Sequence, residues 1–553
     1  MIDTLRQDHL GAYGYPRSTS PTIDDLAAES VLFETAYAQA SWTRPSVGSL
    51  FTGLLPRKHG AVRRENALRT DVKTMAELLA LAGYRASGFI SNPNVLAEFG
   101  FDRGFESYID VESVSVDTDA QQLHEAAFRQ LARFDGPQFL YVHTIDPHVP
   151  YEPPEPFASL FEASPIPPLH DHSMPETVSK TMNLYDGEIA YADAALGDFI
   201  RELKERGLWG ETLFILLSDH GEEFWDHESI QHGTTLYEEQ IRVPLLVRFP
   251  GAIFGGTRVK SPVRVIDILP TLLEQLGEAI PPDLDGSSFL NLVRGDLETV
   301  PRPVFSELNM GKQAISSLIE GPLKLILQRG PEERKAAMLY DLSLDPAEEH
   351  DLSERDPKAM RELEGRIDKI DASLQRGIHI EFVNSKKSDS AARLLARIQL
   401  ERGVFRDVDW SDFEAGDRVS LSDDNTSMSI DLNLQNQANP TGGQPFLLID
   451  VDRIRFDVEP PEAWINVSVV IDDVELDSTL LLVGETGLPK KMPLPWRVQL
   501  DSGELHLSGV GLRAPVPSPE PYIRVYQVPE PSQPTVTIDP LLDARLRALG
   551  YVE

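Results

Sequence analysis

The sequence predicts an α/β protein with a large, mostly parallel sheet sandwiched by helices, followed by a C-terminal β-rich domain. Two patterns carry this expectation. Across residues 1–375, apolar strand-like runs alternate with helix-like segments, as in a layered α/β domain with helices on both faces. Beyond residue 376 the chain changes to short alternating runs punctuated by Pro, Gly and Asp, the signature of antiparallel strands. The 553 residues equal roughly three to four average domains. Large α/β enzymes fill much of such a length with one domain, so two are expected. A composition of 41% apolar and 25% charged residues is ordinary for globular chains and excludes disordered, collagen-like and small disulfide-stapled classes.

Taken in order, Met1-Ile2-Asp3-Thr4 reads as the tail of a first strand. Residues missing upstream and a genuine start are equally weighted expectations. The protein is periplasmic or secreted if an export signal lies upstream, and cytoplasmic otherwise. Strands are expected at 85–91, 137–146, 212–219 and 243–249, whose near-continuous apolar runs suit burial on both faces. Helices are expected at 22–30 and 118–134, where Thr22 with Asp25 and Thr118 with Gln121 resemble capping boxes. Further helices are expected at 187–206 and 267–276, the latter with Pro270 near its start. A linker with a short helix near 390–402 is expected over 376–415. A β-rich domain with a closing helix, LLDARLRALGYVE, is expected over 416–553.

With 51 Lys and Arg against 88 Asp and Glu, the net charge is −37, which disfavours binding to a nucleic-acid backbone. There is no Cys, which excludes disulfides, Cys-ligated metals and thiol nucleophiles. No run reaches the roughly 18 apolar residues of a transmembrane helix.

Polar residues cluster where apolar strands end. Asp3 follows the first apolar residues, Asp219 and His220 end TLFILLSDH, and His143, Asp146 and His148 end FLYVHTIDPH. Ligands of open α/β sheets bind at such strand ends, and Asp with His makes a mixed oxygen–nitrogen site for a divalent metal. A strand-terminal Asp more often caps the next helix, but adjacent Asp219 and His220 before a Gly are rarely structural.

The stretches IDTLRQDHLGAYGYPRSTSPTIDDLAAES, ASWTRPSVGSLFTGLLPRKHG, FLYVHTIDPHVPYEPP, YDGEIAYADAALG, LSDHGEEF and QHGTTLYEEQIRVPLLVRFPG resemble the sulfatases of the alkaline-phosphatase superfamily. IDILPTLLEQLG and LYDLSLDPAEEHDLSE resemble the same family, and the likeness spans about the first two thirds of the chain, in order. The resemblance implies an alkaline-phosphatase-like fold that cleaves sulfate or phosphate esters on one or two divalent cations (Mn, Zn, Ca or Mg). By position, it implies Asp3, Thr43, Asp219 and His220 at the metal. It places Thr43 as nucleophile, with His148 and His232 contacting the oxyanion or leaving group. The expected substrate is a small-molecule, glycan or lipid ester.

The chain departs from the sulfatase pattern at several positions. Thr43 stands where sulfatases carry the Cys or Ser that becomes formylglycine, Val47 replaces an Arg, Thr4 replaces the second Asp, and ISNPNV with Asn92 and Asn94 replaces a Gly-Lys-Trp-His stretch. The aldehyde-hydrate route is therefore closed, whereas Thr is the nucleophile of phospho-acting branches of the superfamily. Thr43 also reads as a helix cap, and the two roles are compatible. Expectations range from sulfatase to phosphoester or phosphonate hydrolase, phosphotransferase, or an inactive binding protein. Lys58, His59 and His227 are weighed for the site rim, Glu222 for support, Asp8 and His9 for structure, and residues 346–356 for a solvated acidic face.

Overall fold

The computed structural model describes residues 1–110, 119–131, 136–164, 175–281, 284–296, 302–310, 313–329 and 336–374. Beyond these it describes chiefly the strands, the 418–433 hairpin and the closing helix named below. The chain divides into two compact units: Met1–Ile280 with Leu284–Glu364 and Gln533–Glu553, and a second formed chiefly by Gly365–Ser532.

The first unit is built on a mixed sheet. Across it run Ser107–Asp110, Arg85–Ile90 and Gln138–His143, all parallel. The start of the chain comes next, then Phe214–Leu217, Arg242–Arg248 and Val31–Tyr37, with Arg258–Val259 and Val263–Arg264 parallel to the last. The first residues join the two halves: Ile2 bridges Thr144 in parallel, and its N–H donates to Leu217 O at 3.0 Å. Arg242–Arg248 alone runs antiparallel to both neighbours. Leu217 pairs with Leu245 and Phe214 with Arg248, so residues 218–241 leave and re-enter the sheet at one end without a crossover.

Arg85–Ile90 and Arg242–Arg248 are buried along nearly their whole length, as strands covered on both faces must be. Successive residues divide between the faces. Phe89, Leu216 and Leu246 share a core with Leu123, Tyr185 and Leu196. Ile90, Leu217 and Leu245 share another with Phe51, Leu269 and Leu273. Helices Pro21–Ala28, Ala120–Leu131 and Glu176–Glu205 therefore cover one face, and Thr43–Thr52, Met75–Leu81 and Ile268–Leu276 the other.

Several helix starts differ from the sequence expectation. The first helix begins at Pro21, and its Thr22 and Ile23 N–H groups donate to Asp193 at 2.9 and 2.8 Å; the cap comes from another helix rather than from a local Thr22–Asp25 box. The second begins at Ala120 and is capped by Asp119, which accepts from Gln122 N–H at 2.9 Å; Thr118 lies outside the described residues. Pro270 sits in the first turn of Ile268–Leu276, where no helical N–H is required of it.

Val304–Met310, Gln313–Glu320, Leu323–Arg329 and Ala336–Asp341 form a four-stranded antiparallel meander that the sequence reading did not separate from the alternating region. The acidic stretch after it is mostly exposed, but Glu348 is buried and pairs with the buried Lys324 at 2.8 Å.

The second unit holds two sheets. One orders Val404–Asp409, Asp452–Glu459, Gly377–Val383, Tyr522–Val528, Ser478–Val483 and Lys490–Pro493; the other orders Arg418–Leu421, Ser427–Asn433, Arg393–Leu400, Trp464–Ile471, Trp496–Asp501 and Glu504–Leu507. Two expectations are corrected here. Where a linker with a helix was expected over 376–415, three of these strands lie, and Arg393–Leu400 buries Ala396, Ile398 and Leu400 while Leu395 is exposed. That period of two fits a strand between two partners and outweighs the helix propensity of Leu, Ala and Arg. The closing helix Pro540–Ala548 belongs to the first unit rather than to the β-rich domain, with Leu542 and Leu546 in the core beneath the sheet. Parts of the expected strands, 445–451 and 508–512, lie outside the described residues.

Candidate active site

Three segments meet at the end of the sheet where the parallel strands finish. Asp3, Asp219 and His220 are fully buried, and one ligand atom of each lies within 4.8 Å of the others. His220 Nδ1 is 2.9 Å from Gly221 O; a carbonyl only accepts, so Nδ1 carries the hydrogen and Nε2 is the bare nitrogen. Nε2 lies 3.3 Å from Asp219 Oδ2 and 3.8 Å from Asp3 Oδ1. Asp3 Oδ1 and Asp219 Oδ2 have no hydrogen-bond donor among the described residues. Carboxylate oxygens buried without donors are costly unless a cation joins them, so these residues fit a divalent metal. Burial raises the pKa of both Asp3 and Asp219, the direction a bound cation would reverse.

Thr43 opens helix Thr43–Thr52, every residue of which is buried. Its Oγ1 is 3.3 Å from His220 Nε2 and accepts from Asn92 Nδ2 at 3.3 Å. Ser46 Oγ donates to Asp219 O at 2.6 Å and pins the first turn to the metal-ligand segment. The positive end of the helix thus faces the anionic cluster.

Asp3 is oriented from behind. Asn92 Nδ2 donates to Oδ2 at 2.5 Å, His143 Nε2 lies 3.1 Å from the same oxygen, and Tyr141 Oη lies 3.1 Å from His143 Nδ1. These groups occupy Oδ2 and leave Oδ1 toward Asp219 and His220, the arrangement by which outer partners aim a metal ligand. Burial lowers the His143 pKa to about 4, which keeps the ring neutral.

His148 and His232 complete the cluster. Their rings are 4.9 Å apart, and His232 is 4.4 Å from the His220 ring. His148 Nδ1 donates to Val149 O at 2.7 Å. Burial drives the His148 pKa to about 4 and that of His232 well below the usual value. The structure thus gathers Asp3, Thr43, His148, Asp219, His220 and His232 in one place. The sequence reading placed His143 among the strand-end groups without giving it a part in the site and noted Asn92 only as a departure from the sulfatase pattern.

Other candidates fall elsewhere. His59 lies buried beneath the Thr43–Thr52 helix, with Nε2 3.1 Å from Pro45 O and 3.3 Å from Ser49 Oγ; Lys58 pairs with Asp285 at 2.8 Å. His227 stacks on Tyr237 at 3.5 Å and binds Glu239 at 2.8 Å. His9 binds Asp186 at 2.7 Å, and Asp8 pairs with Arg6. Asp146 caps helix Ala120–Leu131 through Ala120 N–H at 2.9 Å, the bland role of a strand-terminal Asp.

The mixed sheet flanked by helices is that of alkaline-phosphatase-like hydrolases. A family model described as Sulfatase matches residues 1–278, and one described as the C-terminal region of N-sulphoglucosamine sulphohydrolase matches 229–373. The chain belongs to the sulfatase family, a class of sulfuric-ester hydrolases. It is 25% identical over 428 residues to an arylsulfatase of Clostridium perfringens, covering 63% of this chain and 88% of that one. It is 26% identical over 389 residues to an ulvan-active sulfatase of Formosa agariphila, covering 64% and 74%. A phosphonate monoester hydrolase of Agrobacterium radiobacter shares the fold, with a TM-score of 0.59 at 21% identity over 68% of this chain and 95% of that one. Among the described residues no helix is long and apolar enough to cross a membrane.

Proposed function

We propose that this chain is a divalent-metal-dependent ester hydrolase that transfers a sulfuryl or phosphoryl group to Thr43 and then to water. The observation that carries this is Thr43 Oγ1 lying between His220 Nε2 and Asn92 Nδ2, beside Asp3 and Asp219. Asp3, Asp219, His220 and Thr43 would hold the cation. Such a cation lowers the pKa of the hydroxyl and screens charge on the transferred group. Thr43 Oγ1 gives up its proton and attacks sulfur or phosphorus as the ester bond to the alcohol breaks; the bare Nε2 of His232 or His148 takes up that proton and hands it to the departing oxygen. Water then attacks the Thr43 ester at the same central atom and regenerates the hydroxyl. Because Thr43 has one hydroxyl where an aldehyde hydrate has two, release depends on this second attack.

The same geometry favours a monoanionic substrate: a sulfate monoester, a phosphonate monoester or a phosphodiester. The neutral amide of Asn92, not a Lys, touches Thr43. The neighbouring Arg44 stacks on Phe99 at 3.4 Å and binds the carbonyls of Arg64 and Asn94. Two carboxylates and one divalent cation sum to no net charge, leaving little to offset a dianion. The likeness to sulfatases and the Thr at the nucleophile position together support this range of esters.

The test is turnover of p-nitrophenyl sulfate, p-nitrophenyl phenylphosphonate, p-nitrophenyl phosphate and bis(p-nitrophenyl) phosphate with Mn²⁺, Zn²⁺, Ca²⁺ or Mg²⁺. Thr43→Ala should lower kcat at least about 10³-fold on every active ester, while Thr43→Ser retains measurable activity. No turnover of any ester with any of these metals would leave the inactive binding protein as the reading.

A further inference from the structure

The His232 ring is held by a polar chain that the reaction above does not use. His232 Nδ1 lies 3.1 Å from Glu222 Oε1, and Glu222 Oε2 accepts from Tyr151 Oη at 2.9 Å. Glu222 is fully buried, and the His232 side chain is 5% exposed. The Glu222 backbone is fixed as well. Arg6, itself buried, donates to Glu222 O at 3.0 Å and to both carboxylate oxygens of Asp226, at 2.8 and 3.0 Å. Glu222 N–H donates to Glu239 O at 3.1 Å. Tyr151 is held in turn by edge contacts to Tyr185 and packing against Phe224. Every joint of this chain is therefore braced by another element.

We propose that Glu222 is the positioning residue of the leaving-group histidine, with Tyr151 fixing the Glu222 carboxyl. The Glu222–Nδ1 hydrogen bond sets the ring plane of His232 and assigns Nε2 as the nitrogen that meets the departing oxygen. Loss of this bond removes the restraint that fixes which ring nitrogen faces the departing oxygen. This inference rests on the reading of His232 as a leaving-group residue.

Assistance to a leaving group matters most when that group is a poor one, so the test reads leaving-group dependence. Rates of wild type, Glu222→Gln, Tyr151→Phe, His232→Ala and the Glu222→Gln/His232→Ala double variant are compared on aryl esters from p-nitrophenyl to phenyl. Mn²⁺ affinity is measured by calorimetry in parallel. The expected result is that Glu222→Gln leaves Mn²⁺ affinity unchanged and spares the p-nitrophenyl ester. It should slow the phenyl ester about 10–100-fold, within the span of general acid–base effects. Tyr151→Phe should show the same selectivity more weakly, and the double variant should be no slower than His232→Ala. Equal loss on good and poor leaving groups, a tenfold loss of Mn²⁺ affinity, or additive effects in the double variant would overturn the proposal. If Glu222→Gln does not fold, Tyr151→Phe carries the same comparison. A Thr43→Ala variant that still turns over the p-nitrophenyl ester would instead sink the underlying reading, so the two failures are distinguishable.

Discussion

Burial raises the Glu188 pKa to about 8, with the charge of Asp146 adding to it, and Glu188 is only 4% exposed. In the unfolded chain the same carboxyl ionises near the ordinary glutamate value of 4.5. Between those values the folded state keeps a proton that the unfolded state has released, so stability is present at low pH and is lost as pH rises toward 8. Glu188→Gln keeps an oxygen to accept Glu152 N–H and removes the charge. Its melting temperature should match wild type near pH 4 and exceed it at pH 8; equal curves at both pH values would refute the assignment. Residue-scale placement was legible where a motif fixed it, as for Asp3, Thr43 and the Asp219–His220 pair, which the fold brings together. Roles were illegible where a partner decides them. Asn92 acquires its role from Asp3, 89 residues away, and Asp146 loses one because Ala120 N–H claims its carboxylate.

At the scale of elements, the 218–241 segment stays at one end of the sheet because the strand after it is reversed. Its first turn leaves no room for a side chain: a Cβ on Gly221 would stand 1.9 Å from Glu239 O, while Gly221 N–H donates to Gln240 O at 2.9 Å. Gly221→Ala must push apart two backbones that hold His220 and Glu222. It should weaken Mn²⁺ binding by about 10–100-fold, the range seen when support for metal ligands is lost, and calorimetry would show it. The alternation of strands and helices was readable because buried parallel strands are continuously apolar. The 390–402 segment was misread because RLLARIQL is rich in helix formers, and only its pairing with Ser427–Asn433 and Trp464–Ile471 reveals the period of two. The reversed strand was not readable at all, since a buried strand has the same composition in either direction.

For the whole molecule, the proposed metal ligands come from the first residues and from a segment near the middle of the chain, and the unfolded chain does not hold them together. A cation that binds only the folded state stabilises it by about 2.7 kcal/mol at a hundred times its Kd. Treatment with EDTA should therefore lower the melting temperature as well as abolish activity, and re-addition of Mn²⁺ should restore both. A melting temperature indifferent to chelator would argue against a resident cation. The boundary between units was only partly legible, because composition reports where strands cluster and not which core a later helix rejoins.

The closing helix makes the β-rich unit an insert rather than an appendage. Leu546 is completely buried in the first unit, and Arg545 pairs with Asp110 at 2.9 Å. Leu546→Ala should cost about 2–5 kcal/mol of stability. Translation must pass through the entire inserted stretch before that helix exists. A ribosome that stops anywhere within it releases a hydrolase unit with an open seam. Removing the insert internally, with a Gly/Ser joint from 364 to 533, should yield more soluble protein than ending the chain at 375.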